Sequence, residues 1–303
     1  MENEPLLISL GGVVIGFYGC PPSARKEPLL LFAQEDAAPD IRLRITETEN
    51  LPEPRNASVC YASKGFRMLA DGTQRWALSS DPNRTAAPTH AVLRYDTAHP
   101  EGAELFFASK RMVLNVQSML SSIMLETLLL RHARCILHAS FILTEQGAIL
   151  FSAPSGTGKS TQAELWRRYR HAEIINGDKA ILRLTKKGAA ACGLPFCGSS
   201  GICRNATAPL RAVVVLAQGA ENRISRMGGK AAVKALLSQM YVRRGERESV
   251  AQAMTLASEI AVRVPVYHLS CLPERSAVEC LEKALTEDQN NADRTKAVTI
   301  SPQ

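Results

Sequence analysis

The segment AILFSAPSGTGKSTQAELW, residues 148–166, constrains the fold of this chain more than any other. An apolar run, a glycine-containing turn and a helix-forming stretch that opens on Lys-Ser-Thr read as strand, loop and helix. Gly156 and Gly158 let the backbone bend until several N–H groups converge on one point. A helix that starts at Lys159 directs the positive end of its dipole at the same place. Such a cradle suits a phosphate. The predicted contacts are Ser155, Gly156, Thr157, Gly158, Lys159, Ser160 and Thr161. Lys159 is long enough to meet β- and γ-phosphates, and the Ser160 hydroxyl suits Mg²⁺. ATP and Mg²⁺, with Mn²⁺ as a substitute, are the expected cofactors. The general phosphate-loop pattern asks for glycine where Ala153 stands; alanine fits there if φ stays negative.

Around this segment the pattern is mixed α/β. CILHASFIL (135–143) and AILFSA (148–153), joined by TEQG, predict a β-hairpin that feeds the loop. A helix from Lys159 to about Arg170 is followed by short strands at 172–176, 179–184 and 189–194, then by RAVVVLA (211–217). KAAVKALLSQMYV has helical spacing, and PVYHLSC and ERSAVECLEKAL predict a last strand and a last helix. Upstream, LLISLGGVVIGFYG, EPLLLFAQ, IRLRITE, GFRMLA, QRWALSS, AVLRYDT and AELFFAS alternate with Pro, Gly, Asp and Asn clusters and predict strands. The reading is a β-rich region over 1–110, a nucleotide-binding unit over 111–286 and a frayed polar tail over 287–303.

The 303 residues can bury a sizeable core. Met112–Leu130 is the most apolar helical stretch, but Asn115, Gln117 and Glu126 within it argue for a buried amphipathic helix rather than a membrane span. The N-terminus carries acids where a secretory signal needs positive charge, so a cytoplasmic location is expected. Eight cysteines are scattered; Cys192, Cys197 and Cys203 cluster, but without the Cys-x-x-Cys spacing of zinc sites, and are read as structural thiols. The net charge of +7 is dispersed, and no basic platform interleaved with aromatics suggests nucleic acid. Neither a nucleic-acid nor a membrane partner is expected; self-association is left open.

LHASFILTEQGAILFSAPSGTGKST, together with INGDKA (175–180), resembles the HPr kinase/phosphorylase and ATP-dependent phosphoenolpyruvate carboxykinase superfamily. There a strand bearing a His precedes a Ser-Gly-x-Gly-Lys-[Ser/Thr] loop after a short hairpin. The resemblance is greatest to the compact HPr-kinase-like proteins of bacteria and covers roughly residues 130 to 285. It implies an α/β fold with a mixed sheet and antiparallel hairpins around the glycine loop. It further implies that His138 faces the γ-phosphate or the metal, that Lys159, Ser160 and Thr161 hold phosphates and metal, and that Asp178 ligates Mg²⁺. Independently of the resemblance, an acid at the end of an apolar strand is a suitable hard ligand for a metal-bound nucleotide. A turn residue before the next strand is the alternative for Asp178. The first of the superfamily's paired aspartates, which in the HPr kinases serves as base toward the accepting hydroxyl, is Gly177 here, flanked by Asn176 and Asp178. Arg204, in GSSGICRN, either folds over the γ-phosphate as an arginine finger or sits on a solvated turn.

Two functions follow. One is a kinase that moves the γ-phosphate to a hydroxyl of a peptide, protein or small metabolite, with His138, Lys159, Asp178 and Arg204 as catalytic residues. The other is a nucleotide-binding accessory protein that transfers nothing, which Gly177 favours. Carboxykinase chemistry is disfavoured because the substrate-binding and metal-lysine segments of those longer chains have no equivalent.

Overall fold

The computed structural model describes residues 4–84, 86–243 and 245–299. Alternating burial marks the first strands: Leu6, Ile8 and Leu10 point inward from β1 (Leu6–Leu10), and its turn into β2 (Val13–Tyr18) runs through Gly11 and Gly12, both at positive φ. With β3 (Ile41–Glu47), β4 (Ser58–Ser63), β5 (Phe66–Asp71), β6 (Gln74–Ser80), β7 (Thr89–Asp96) and β8 (Gly102–Phe107) they form an eight-stranded sheet in the order β1-β2-β3-β8-β7-β6-β5-β4. The sequence reading missed β4, whose side chains are mostly exposed and whose edge position leaves no apolar alternation to see. It also predicted a strand over EPLLLFAQ; Leu29–Phe32 is instead a 3-10 turn, packed by Leu29 and Phe32.

The predicted long helix before the glycine segment is two helices. Asn115 caps α1 (Val116–Ser122) in a reciprocal box with Ser118, and α2 (Leu125–Arg131) begins after Met124, which takes φ 52°. Both flanks of the break are buried, so apolar periodicity could not reveal it.

The second sheet contains β9 (Arg134–Thr144), β10 (Gly147–Ser152), β11 (Glu173–Asn176), β12 (Lys179–Thr185), β13 (Gly188–Cys192), β14 (Thr207–Gln218), β15 (Arg223–Met227) and β16 (Val266–Cys271). The chain is thus a mixed α/β protein. Most pairings in this sheet are antiparallel; β14 runs parallel to β10 and β16. Two long strands bend and change neighbours. β9 pairs with β12 up to His138 and with β10 from Ala139 onward. β14 pairs with β13 over 207–209 and with β10 over 210–215. Helices α3 (Lys159–Arg170), α4 (Gly229–Gln239), α5 (Arg247–Arg263) and α6 (Arg275–Thr299) complete the chain. α6 continues past residue 287, where a frayed tail was expected. At that boundary the Tyr267 hydroxyl and the Arg226 guanidinium both meet Asp288. Among the described residues no helix is long and apolar enough to cross a membrane.

The two sheets share a core: Ile136, Ile181, Cys192 and Leu194 belong to the same buried cluster as the inner faces of β1–β8, α1 and α2.

Candidate functional site

The glycine loop leaves the end of β10 beside the point where β9 changes partners. Ser152 sits opposite Ala139, and its hydroxyl donates to the His138 carbonyl at 2.8 Å. Gly156 and Gly158 take φ of +80° and +115°, and a Cβ at either would meet nothing within 4 Å. The two glycines are therefore required for the turn and not for close packing. No side chain caps the start of α3, so its first N–H groups remain available to a ligand. Ser155, Gly156, Ser160 and Thr161 are exposed, and Thr157 and Gly158 half-buried. Lys159 alone among them is buried; its Nζ donates to the carbonyls of Ala153 (2.9 Å) and Pro154 (3.3 Å). Burial holds its pKa below the usual value, against the pull of Asp178.

Asp178 is positioned by a residue that the sequence reading had set aside. Asn176 is fully buried, and its Oδ1 accepts from the backbone N–H groups of Asp178 and Lys179, both at 2.9 Å. Its Nδ2 donates to Leu194 (3.1 Å) and Phe196 (2.8 Å). Both donors and both lone pairs are thus used, which pins the turn on all sides. Further bonds tie the turn to β9: Ser140 Oγ donates to the Gly177 carbonyl at 2.9 Å, and Ala139 N–H to the Asp178 carbonyl at 3.0 Å.

The Asp178 carboxylate faces His138 and Lys179. His138 Nε2 lies 3.5 Å from Oδ1, and Lys179 Nζ lies 2.8 Å from Oδ2. The His138 contact has the form of an ion pair, yet burial first, then the Lys159 ammonium, lower the imidazole pKa against the pull of Asp178. We take the neutral imidazole as the resident form, because Lys179 already compensates the carboxylate. Tyr241 closes the group: its ring meets His138 edge-on at 6.3 Å, and burial raises its phenol pKa. Nothing in the sequence marked Tyr241. Lys179 was visible only as the residue after the acid.

Arg204 is not brought to this group. Its backbone N–H donates to the Ile175 carbonyl beside the turn, but its exposed guanidinium pairs with Glu173, which stands opposite Leu143 on β9. The preceding loop carries a second correction. Cys197 and Cys203, read as thiols, form a disulfide with Cα atoms 4.9 Å apart. Gly198 and Gly201, at φ +55° and +66°, turn the chain so that its two ends meet. The closed loop lies against the Gly177–Asp178 turn: a Cβ on Gly177 would stand 2.3 Å from Ser200 Oγ, and one on Gly198 2.5 Å from Asp178 Cβ.

No family model and no curated protein matches the sequence. Among solved structures, the Hpr(Ser) kinase/phosphatase from Coxiella burnetii is a neighbour at a TM-score of 0.30 and 11% identity, covering 54% of this chain and 95% of that one. A likeness at this level carries no argument about activity, so the functional reading stands on the site itself.

The residues present fit a magnesium nucleotide in their chemistry. Among the described residues no group of three His, Cys, Asp or Glu could hold a metal unaided. Mg²⁺ in phosphoryl-transfer sites is held by one or two protein oxygens together with phosphates and water, and Ser160 with Asp178 matches that donor type.

Proposed function

We propose that the chain is an ATP-dependent phosphotransferase acting on a hydroxyl acceptor. The observation that carries this reading is the convergence of the open glycine loop, buried Lys159, His138 and Asp178 where β9 changes partners. The loop N–H groups and Lys159 hold the phosphates, and Ser160 and Asp178 are the residues for Mg²⁺. When bound, that ion neutralises charge on the β- and γ-phosphates. In the reaction the acceptor oxygen bonds to the γ-phosphorus, the bond to the β,γ-bridging oxygen breaks, and ADP leaves. The hydroxyl proton goes to His138, which burial keeps neutral and able to accept it. The imidazolium so formed faces Asp178. Gly177 supplies no base, but a loose transition state depends more on position and charge than on proton removal.

The test is transfer of labelled γ-phosphate from Mg-ATP to water and to a panel of hydroxyl acceptors. Wild type should transfer, and Lys159→Ala and Asp178→Ala should each lose about a hundredfold or more. Tight ATP binding with no transfer to any acceptor would leave the second reading, a nucleotide-binding accessory protein. One feature favours that reading: Ser200 occupies the space where a carboxylate at position 177 would begin.

A further inference from the structure

Lys179 is paired with His138 across the β9–β12 ladder, and residues so paired project from the same face of a sheet. Its ammonium is held by Asp178 at 2.8 Å and lies 4.6 Å from the Phe196 ring centroid and 5.1 Å from that of Tyr241. Aromatic faces attract a cation without consuming a donor. Of the three N–H donors of a lysine, Asp178 takes one. Lys179 and Asp178 both line an open cleft of about 700 Å³, together with the stretch from Ser23 to Pro28, the start of α1 and the turn at 195–199. Asp178 pairs with Lys179, while Lys159 is held by the carbonyls of Ala153 and Pro154, and Lys26 and Glu27 line the same cleft.

We infer that Lys179 is a catalytic cation that contacts the γ-phosphoryl group and stabilises its charge as it passes toward the cleft, in place of Arg204, whose guanidinium is taken by Glu173. The inference rests on the nucleotide reading proposed above. Asp178 and the two rings orient the ammonium in advance, so little reorganisation accompanies the transfer.

The experiment measures ATP and ADP affinity by calorimetry at fixed Mg²⁺ for wild type, Lys159→Met, Lys179→Met and Lys179→Arg, with circular dichroism as the check on folding. Wild type should bind ATP more tightly than ADP. Lys179→Met should lose about tenfold in ATP affinity, as for one charge-assisted hydrogen bond, and less than about twofold in ADP affinity. Lys179→Arg should keep most of the preference, and Lys159→Met should weaken both nucleotides. A Lys179→Met protein that retains the wild-type preference overturns the inference and leaves the nucleotide reading intact. Wild type that binds neither nucleotide overturns both. The second measurement needs no variant: acetylation of Lys179 in the wild-type protein, followed by mass spectrometry. Mg-ATP should protect the residue and Mg-ADP should not; equal labelling under both also overturns the inference.

Discussion

At the scale of single residues the site depends on Asn176 and on the lack of a side chain at Gly177. Restoring an aspartate at 177 is the obvious way to supply a base, but its Cβ would fall 2.3 Å from Ser200 Oγ. Gly177→Asp alone should therefore cost about 1–3 kcal/mol, read by chemical denaturation. The double variant with Ser200→Gly should recover most of that loss, and it is the proper background for asking whether transfer speeds up. His138 gives a pH signature. Its folded pKa lies below its ordinary value, so protonation disfavours the fold. The sign follows: stability from this group is complete above about pH 6.5 and declines as the pH falls below that value. The transfer rate follows the folded-state pKa instead, so its acid limb should lie below the ordinary histidine range. A His138→Asn protein that keeps the same acid limb would remove His138 from the proton path. Lys159 was singled out by the glycine-loop pattern, Asp178 by its place after an apolar strand and His138 by the family resemblance. The role of Asn176 could not be read in this way, because its partners at Leu194 and Phe196 are backbone carbonyls, which carry no residue signature.

At the scale of elements, the loop from Cys197 to Cys203 shows where sequence reasoning stops. Its cysteines lack metal-ligand spacing, and nothing in the linear order shows that two glycines at positive φ fold one thiol back onto the other. The hairpin of β9 and β10, the glycine loop and α3 were legible because turn chemistry and apolar periodicity agree there. The break between α1 and α2 was not legible, since buried side chains continue through it. The cross-link constrains a short segment lying against Asp178. Cys203→Ser should therefore speed limited proteolysis between Gly198 and Gly201 severalfold, while the cleavage rate elsewhere changes little. Gly198→Ala is expected to be worse tolerated than Gly201→Ala. Both have positive φ, but only at Gly198 does a Cβ collide, 2.5 Å from Asp178 Cβ. The measurement is the difference in melting temperature between the two variants.

At the scale of the molecule, a buried polar cluster joins the first sheet to α2 and to the start of α5. The Glu246 carboxylate accepts from the Tyr95 hydroxyl on β7 and from Ser249 Oγ at 2.6 Å, and lies 3.6 Å from Arg131. The Arg131 guanidinium stacks over the Tyr95 ring at 4.5 Å. Burial first, and then Glu246, raise the Tyr95 pKa, so the phenol remains a neutral donor. Glu246→Ala would leave Arg131 buried without its counter-charge and should cost about 3–5 kcal/mol. Because the sheets share one hydrophobic cluster, the variant should still unfold in a single transition, at lower denaturant. Two separate transitions would show that the halves melt independently.

The chain between Met240 and Glu246 ties these scales together. At one end Met240 bridges to Leu137 and Tyr241 N–H donates to the Ile136 carbonyl, beside His138. At the other, Gly245 lies against Tyr61 and Glu246 against Tyr95. The β-rich half is therefore not an interchangeable cassette. A chimera that grafts residues 111–303 onto a foreign N-terminal partner must import counterparts of Tyr61 and Tyr95 with it, or the tether that seats Tyr241 beside His138 and Lys179 loses its far anchor.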